Sequence, residues 1–188
     1  MMVRIGSIFL IMLVSVMGAM AEGDARTPSI QDLDHLIGKW RYVDQSTELA
    51  GFDYREEGVI NCNYALDGKY IQCDGAGHYG DKTRTYVDYI SYNNISETFV
   101  RTGMFGNHPA IASFTMNVSD DGMTIEQFGT PMHQRDGSTS KNWGVINFSD
   151  NDHYVWKVHV NRSTKAPDYW PLSFISTYER ISDEQNNE

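Results

Sequence analysis

From Gly38 onwards, the chain consists of short stretches of strand-forming residues separated by turn residues. Apolar and polar residues alternate in several stretches, so that Tyr154 and Trp156, for example, would share one face of a strand. Turn pairs such as Asp67-Gly68 and Asn93-Asn94 separate the stretches. The pattern predicts ten strands, over residues 38–46, 57–65, 69–76, 82–92, 96–105, 110–118, 122–129, 141–148, 153–162 and 172–181.

Hairpin-length connections between these strands predict an antiparallel meander. One sheet of so many strands tends to close on itself, because closure removes its exposed edges. We therefore expect an all-β fold, a single up-and-down antiparallel β-barrel of about 8–10 strands. Ahead of the first strand, Thr27-Pro28-Ser29 predicts the start of a short helix, and Gly38 predicts its end.

The N-terminus has the pattern of a secretory signal peptide. Arg4 precedes an apolar stretch over residues 8–16, and Ala19-Met20-Ala21 forms a cleavage site. The alternative, an uncleaved membrane anchor, is disfavoured because a spanning helix needs about 20 apolar residues. We expect residues 1–21 to be the signal peptide, residues 22–188 to be the mature domain, and the protein to be secreted or periplasmic with no membrane span.

The chain is acidic, with 15 Lys and Arg against 25 Asp and Glu. Binding to nucleic acid or to an anionic membrane surface requires a basic face, so this balance argues against both. Cleavage would leave 167 residues and remove Arg4, which moves the formal net charge from −10 to −11.

The only two cysteines, Cys62 and Cys73, flank the Asp67-Gly68 turn. If these two turn residues form the loop of a hairpin, Cys62 lies directly opposite Cys73, within disulfide range. A turn with a glycine bulge would instead place the two cysteines on a diagonal. Export supplies the oxidising compartment, so the spacing predicts a disulfide, whereas a metal or redox pair lacks the usual ligand pattern.

No sequence motif marks a catalytic or metal centre. The chain has no Gly-x-Ser-x-Gly nucleophile elbow, and its six histidines do not match a ligand spacing, so we expect no metal and no cofactor. Asp88, in the middle of a strand, could face the barrel interior as an acid or base, although facing water is the more ordinary interpretation. Arg101 has the same ambiguity, and a loop histidine, His133, completes the weak catalytic candidates.

Gly38-Lys39-Trp40 at the start of the first strand resembles the lipocalin signature. The resemblance implies that Trp40 packs across the barrel floor and that a basic residue near the end of the last strand, here Arg180, covers it. The chain also resembles an uncharacterised bacterial family of lipocalin-like domains, through Leu66-Asp67-Gly68 and the segments 75–80, 86–92 and 103–106. The cysteine pair and the 130–140 connection depart from that pattern, and the resemblance implies no catalytic residue.

Aromatic side chains are spread over separate strands, and those facing inwards would either line a cavity or fill it. Phe105 and Phe174 belong to this set. The candidate ligand-binding residues are Tyr42, Tyr86, Phe99, Phe114, Met116, Trp143 and Trp156. We expect the barrel to bind a small apolar or amphipathic ligand. The alternatives are an enzyme of hydrolase or isomerase type with its site at the barrel mouth, and a filled barrel acting as a structural or interaction protein of the envelope.

Overall fold

The computed structural model describes residues 26–133, 138–162 and 168–182, so the predicted signal peptide lies outside the described residues. Within them, two 3₁₀ helices and eleven strands follow one another along the chain. The helices are Ile30–Leu36 and Glu48–Ala50. The strands are β1 Gly38–Ser46, β2 Arg55–Ala65, β3 Tyr70–Tyr79, β4 Lys82–Asn93, β5 Thr98–Phe105, β6 His108–Val118, β7 Thr124–Gly129, β8 Met132–His133, β9 Thr139–Phe148, β10 His153–Asn161 and β11 Leu172–Arg180.

Ten of these strands form a closed antiparallel barrel, which confirms the predicted all-β fold. The order runs β10-β11-β1-β2-β3-β4-β5-β6-β7-β9, and the pairing of β9 with β10 closes the sheet. The two-residue strand β8, which the sequence pattern did not predict, adds to β9 through Met132 and His133. None of the described helices is long and apolar enough to span a membrane.

The hairpin between β2 and β3 has the predicted register. Cys62 lies opposite Cys73 and is joined to it by a disulfide, which confirms the prediction. Asp67 and Gly68 both have positive φ, as the tight turns that join twisted strands require.

The 3₁₀ helix over Ile30–Leu36 closes one end of the barrel. Its residues Leu33 and Leu36 are 0% and 5% exposed, and its first turn is held by the Asp32 carboxylate, which accepts a hydrogen bond from the backbone N–H of Ser29 at 2.9 Å. The indole N–H of Trp40 donates to the Leu36 carbonyl at 3.0 Å, which ties the helix to the floor of the barrel.

The structure brings Trp40 and Arg180 together at this closed end. The Arg180 guanidinium lies 4.1 Å from the centre of the Trp40 ring, close enough for a cation–π contact. Arg180 also donates hydrogen bonds to the backbone carbonyls of His35, Ile37 and Asn151. The last strand is thereby joined to the helix segment that covers the floor.

Candidate functional site

The opposite half of the barrel contains a cavity of about 360 Å³. Alternate residues of each strand point inwards, so one face of each strand supplies its wall. Nine of the residues that line it are aromatic: Tyr42, Phe52, Tyr54, Tyr86, Phe105, Phe114, Trp156, Phe174 and Tyr178. The polar part of the wall comprises Asp44, Arg84, Asp88, Arg101, Asn107, Gln127, Asn142 and Ser176.

Four of the seven predicted ligand-binding residues line this cavity: Tyr42, Tyr86, Phe114 and Trp156. Phe99 and Met116 face inwards but lie nearer the closed end, in the packed core, where they are 5% and 2% exposed.

Trp143 does not line the cavity, contrary to the sequence prediction. It lies on the outer face of the barrel, stacked on His159 with the ring centres 4.6 Å apart. The reason is strand parity, because its neighbour Gly144 is the residue of β9 that faces the cavity.

An ion pair lies in the cavity wall towards the closed end. Arg101 Nε and Nη2 donate to the two carboxylate oxygens of Asp88 at 3.0 and 2.8 Å, and Arg101 Nη1 donates to Gln127 Oε1 at 2.9 Å. Asp88 is 2% exposed, which corrects the expectation that it faces water. A buried carboxylate is tolerated here because Arg101, on the neighbouring strand, neutralises it.

The three weak catalytic candidates do not form one site. Asp88 and Arg101 meet, but His133 is an exposed residue of β8 whose ring nitrogen contacts the Thr139 hydroxyl at 3.3 Å. Both oxygens of Asp88 already accept hydrogen bonds from Arg101. This arrangement favours a structural role for the carboxylate over proton transfer.

Two buried N–H groups near this ion pair have no hydrogen-bond partner among the described residues: Gln127 Nε2 and Trp156 Nε1. The orientation of the Gln127 amide follows from Arg101, which has only donors, so the amide oxygen must face the guanidinium and the nitrogen must point away. Buried donors of this kind are uncommon in native proteins. They leave the wall of the barrel interior rich in hydrogen-bond donors.

A second buried carboxylate, Glu56, organises the wall nearer the mouth. Glu56 Oε1 accepts hydrogen bonds from Tyr42 at 2.5 Å and from Arg84 at 2.6 Å, and Oε2 accepts one from Tyr54 at 2.7 Å. Burial opposes ionisation of Glu56, but the hydrogen bonds from Arg84, Tyr42 and Tyr54 outweigh it and lower its pKa. Burial and the Glu56 carboxylate raise the pKa of Tyr42 and of Tyr54, so both hydroxyls keep their protons and donate.

Glycine at position 77 makes room for this network. A Cβ atom on Gly77 would collide with the Tyr42 hydroxyl and with the Glu56 carboxylate. Gly58, on the facing strand β2, is similarly close, since a Cβ atom there would lie 2.6 Å from the Tyr42 hydroxyl. The two glycines therefore provide the space in which a tyrosine hydroxyl and a carboxylate meet inside the wall.

A third carboxylate, Asp44, lines the cavity itself. One of its oxygens accepts a hydrogen bond from the Ser176 hydroxyl at 2.8 Å, and Asp44 forms no ion pair with any described residue. Burial raises the pKa of the Asp44 carboxyl, although the Ser176 hydrogen bond and the charge of Arg84 act in the opposite direction.

The sequence prediction missed four polar residues of the site: Asp44, Glu56, Arg84 and Gln127. Strand alternation could have found Asp44, which is two residues after Tyr42 and therefore on the same face of β1. The partnership between Glu56 and Arg84 had no local signal, because 28 residues separate them. Among the described residues, no group of three His, Cys, Asp or Glu side chains is arranged to hold a metal ion.

Residues 27–169 match the family described as "Protein of unknown function (DUF1579)". No curated protein matches the chain. Among solved structures, the S-type phycobiliprotein lyase CPES from Guillardia theta is similar in fold, with a TM-score of 0.56 at 13% identity over 82% of this chain and 94% of that one.

A second structure, EF1p2_mFAP2b bound to DFHBI, has a TM-score of 0.41 at 9% identity over 79% of this chain and 95% of that one. Ten strands of the described residues form a closed antiparallel barrel.

Proposed function

This chain belongs to the DUF1579 family of proteins of unknown function, and from its cavity we propose that it binds a small amphipathic molecule inside the barrel. The observation that carries this proposal is a cavity of about 360 Å³ whose wall is mostly apolar and includes nine aromatic residues. Small-molecule sites commonly have volumes of about 300–1,000 Å³ and apolar walls with a few polar groups. The apolar wall suits the apolar body of a ligand. The polar groups suit a ligand that also carries a polar group, that is, an amphipathic molecule.

The polar groups favour binding over catalysis. Each of the two buried carboxylates, Asp88 and Glu56, has both oxygens occupied by hydrogen bonds from side chains of the protein. Such groups stabilise a wall and orient its aromatic rings. A catalytic site in the cavity would require acid and base groups to meet there. His133, the histidine among the catalytic candidates, does not line the cavity. The cavity also argues against a barrel filled by its own side chains.

Two valines of β10 allow a matched test of binding in the cavity. Val158 lines the cavity, whereas Val155 has the opposite parity and points outwards. N-phenyl-1-naphthylamine, a neutral dye that fluoresces in apolar surroundings, should bind saturably to the unmodified protein and to Val155→Trp. Val158→Trp should weaken its binding at least about tenfold, because the indole occupies the space of the ligand.

Thermal unfolding of both variants checks that they fold. Equal dye affinity in Val158→Trp and Val155→Trp would place the dye outside the cavity and contradict the proposal. Native mass spectrometry of protein purified from its own host adds an independent measurement, because a retained small molecule would identify the natural ligand directly.

We also propose that the protein is exported, with cleavage after Ala21. The basis is the N-terminal sequence pattern, which lies outside the described residues. The disulfide between Cys62 and Cys73 is consistent with this compartment, because disulfides persist in secreted and periplasmic proteins.

A further inference from the structure

Resting on the proposed function, we propose that the ligand is a cation, an aromatic or alkyl amine, and that the Asp44 carboxylate is its counter-ion. The inference comes from the charges that border the cavity. Two carboxylates are neutralised within the wall, since Glu56 pairs with Arg84 at 2.6 Å and Asp88 pairs with Arg101 at 2.8 Å. Asp44 remains, and no described residue forms an ion pair with it.

The position of Asp44 suits a counter-ion. It lies on β1 directly opposite Ser176, whose hydroxyl donates to one carboxylate oxygen at 2.8 Å. Its other oxygen accepts no hydrogen bond from the described residues. A partly buried carboxylate with one hydrogen bond is poorly compensated, and a bound cation would compensate it.

Aromatic rings surround the same part of the cavity. Tyr54 and Tyr178 line the same cavity as Asp44. Tyr54 packs edge-on against Phe174 with ring centres 6.0 Å apart, and Tyr42 stacks on Tyr178 at 5.5 Å. The faces of aromatic rings attract cations, and a carboxylate beside several rings is a typical arrangement for binding an alkylammonium group.

An anionic ligand is disfavoured by the same balance of charges. The two guanidinium groups that line the cavity, Arg84 and Arg101, each pair with a carboxylate, so an added anion would meet the charge of Asp44, which has no ionic partner within the described part of the chain. The net charge of −10 for the whole chain also favours the approach of cations over anions.

Three probes of nearly the same size and shape test the charge of the ligand: 2-naphthylmethylamine is a cation, 2-naphthylmethanol is neutral and 2-naphthoate is an anion. Their affinities are measured by displacement of N-phenyl-1-naphthylamine from the unmodified protein near pH 7. The amine should bind about tenfold to a hundredfold more tightly than the alcohol, as expected of a hydrogen bond to a charged group. The anion should bind most weakly.

Asp44→Asn tests the residue, because asparagine keeps the shape and can still accept the Ser176 hydrogen bond. In this variant the amine should lose its advantage over the alcohol. The control is Asp74→Asn, which removes one negative charge from the exposed, outward face of β3 and should leave the advantage unchanged. The assignment to Asp44 would be overturned if Asp44→Asn still bound the amine more tightly than the alcohol by the same factor. It would also be overturned if Asp74→Asn reduced this factor as much as Asp44→Asn does.

The probe comparison on the unmodified protein needs no variant. An amine that binds no better than the alcohol would overturn the charge assignment, and the proposed function would still stand if the dye binds in the cavity. Failure of the dye and of all three probes to bind would instead overturn the proposed function, and the charge assignment with it.

Discussion

Glu56 shows how single residues shape the cavity wall. Only 1% of its surface reaches solvent, yet its carboxylate is ionised because Tyr42, Tyr54 and Arg84 all donate hydrogen bonds to it. The same bonds hold two cavity-lining rings and one guanidinium group in place. Asp88 does the same for Arg101 nearer the closed end, where the guanidinium also lies 5.0 Å from the ring centre of Trp156. At the residue scale, the buried carboxylates hold the side chains of the cavity wall in fixed positions.

Replacing Glu56 by glutamine should lower the free energy of unfolding by about 2 kcal/mol at pH 7. Removing one partner of a fully buried ion pair costs about 3–5 kcal/mol, and partial exposure of Arg84 to solvent reduces this cost. The control is Glu57→Gln, because the neighbouring Glu57 side chain is 62% exposed and pairs with Arg55 on the surface. Urea unfolding of the two variants makes the comparison, and equal losses would show that Glu56 has no special role.

The stability that Glu56 contributes should depend on pH. Its pKa is lower in the folded than in the unfolded protein, so the contribution is complete above the ordinary pKa of 4.5 and disappears as the pH falls through the folded value. Measured below pH 4.5, the difference in unfolding free energy between the unmodified protein and Glu56→Gln should therefore shrink. A difference that is constant over this range would contradict the assigned shift.

At the scale of elements, the β2–β3 hairpin stabilises the closed half of the barrel. Its disulfide joins Cys62 and Cys73, which are 2% and 4% exposed and belong to the core. The same two strands continue past the cavity, where Gly58 and Gly77 make room for the Glu56 network. The same hairpin thus contributes core residues at the closed end of the barrel and, beside the cavity, the room for the Glu56 network.

Removal of this disulfide by Cys62→Ala with Cys73→Ala should cost about 2–3 kcal/mol of stability, because the crosslink restricts the unfolded chain over a short loop. The affinity for N-phenyl-1-naphthylamine should stay unchanged, since neither cysteine lines the cavity. Urea unfolding and dye titration of the double variant measure the two effects. A loss of dye binding in a variant that still folds would show that the hairpin also controls the shape of the cavity.

At the scale of the whole molecule, closure depends on contacts between distant parts of the chain. β1 pairs with β11, so Trp40 lies opposite Arg180, and Asp44 lies opposite Ser176. The first pair covers the floor of the barrel, and the second holds the carboxylate that we propose as the counter-ion. The pairing of β1 with β11 therefore contributes residues to the closed end of the barrel and to the cavity.

Export is a property of the whole chain, and the N-terminus makes it testable. In its own host, the protein should begin at Glu22 and carry the oxidised cysteine pair, which N-terminal sequencing and mass spectrometry would measure. Ala21→Ile should block cleavage because the site requires a small residue, whereas Ala21→Ser should be cleaved normally. Protein that retains residues 1–21 without substitution would contradict the proposal.

Much of the fold could be predicted from local sequence patterns. Alternation and turn pairs predicted the ten strands of the barrel to within a few residues, and the Asp67-Gly68 turn predicted the register that joins Cys62 to Cys73. The two-residue strand β8 was missed because it is too short to show any alternation. The face of Trp143 was misjudged because its strand, β9, has apolar residues on both faces.

The sequence by itself determined the all-β class, the disulfide and the inward face of most strands, because these depend on residues close together along the chain. Only the tertiary structure decided that Asp88 meets Arg101, that Glu56 meets Arg84 and that Asp44 has no ionic partner among the described residues. It also decided that the barrel contains a cavity. Charge pairing and internal volume depend on how distant strands pack around a common axis, and no local pattern encodes that packing.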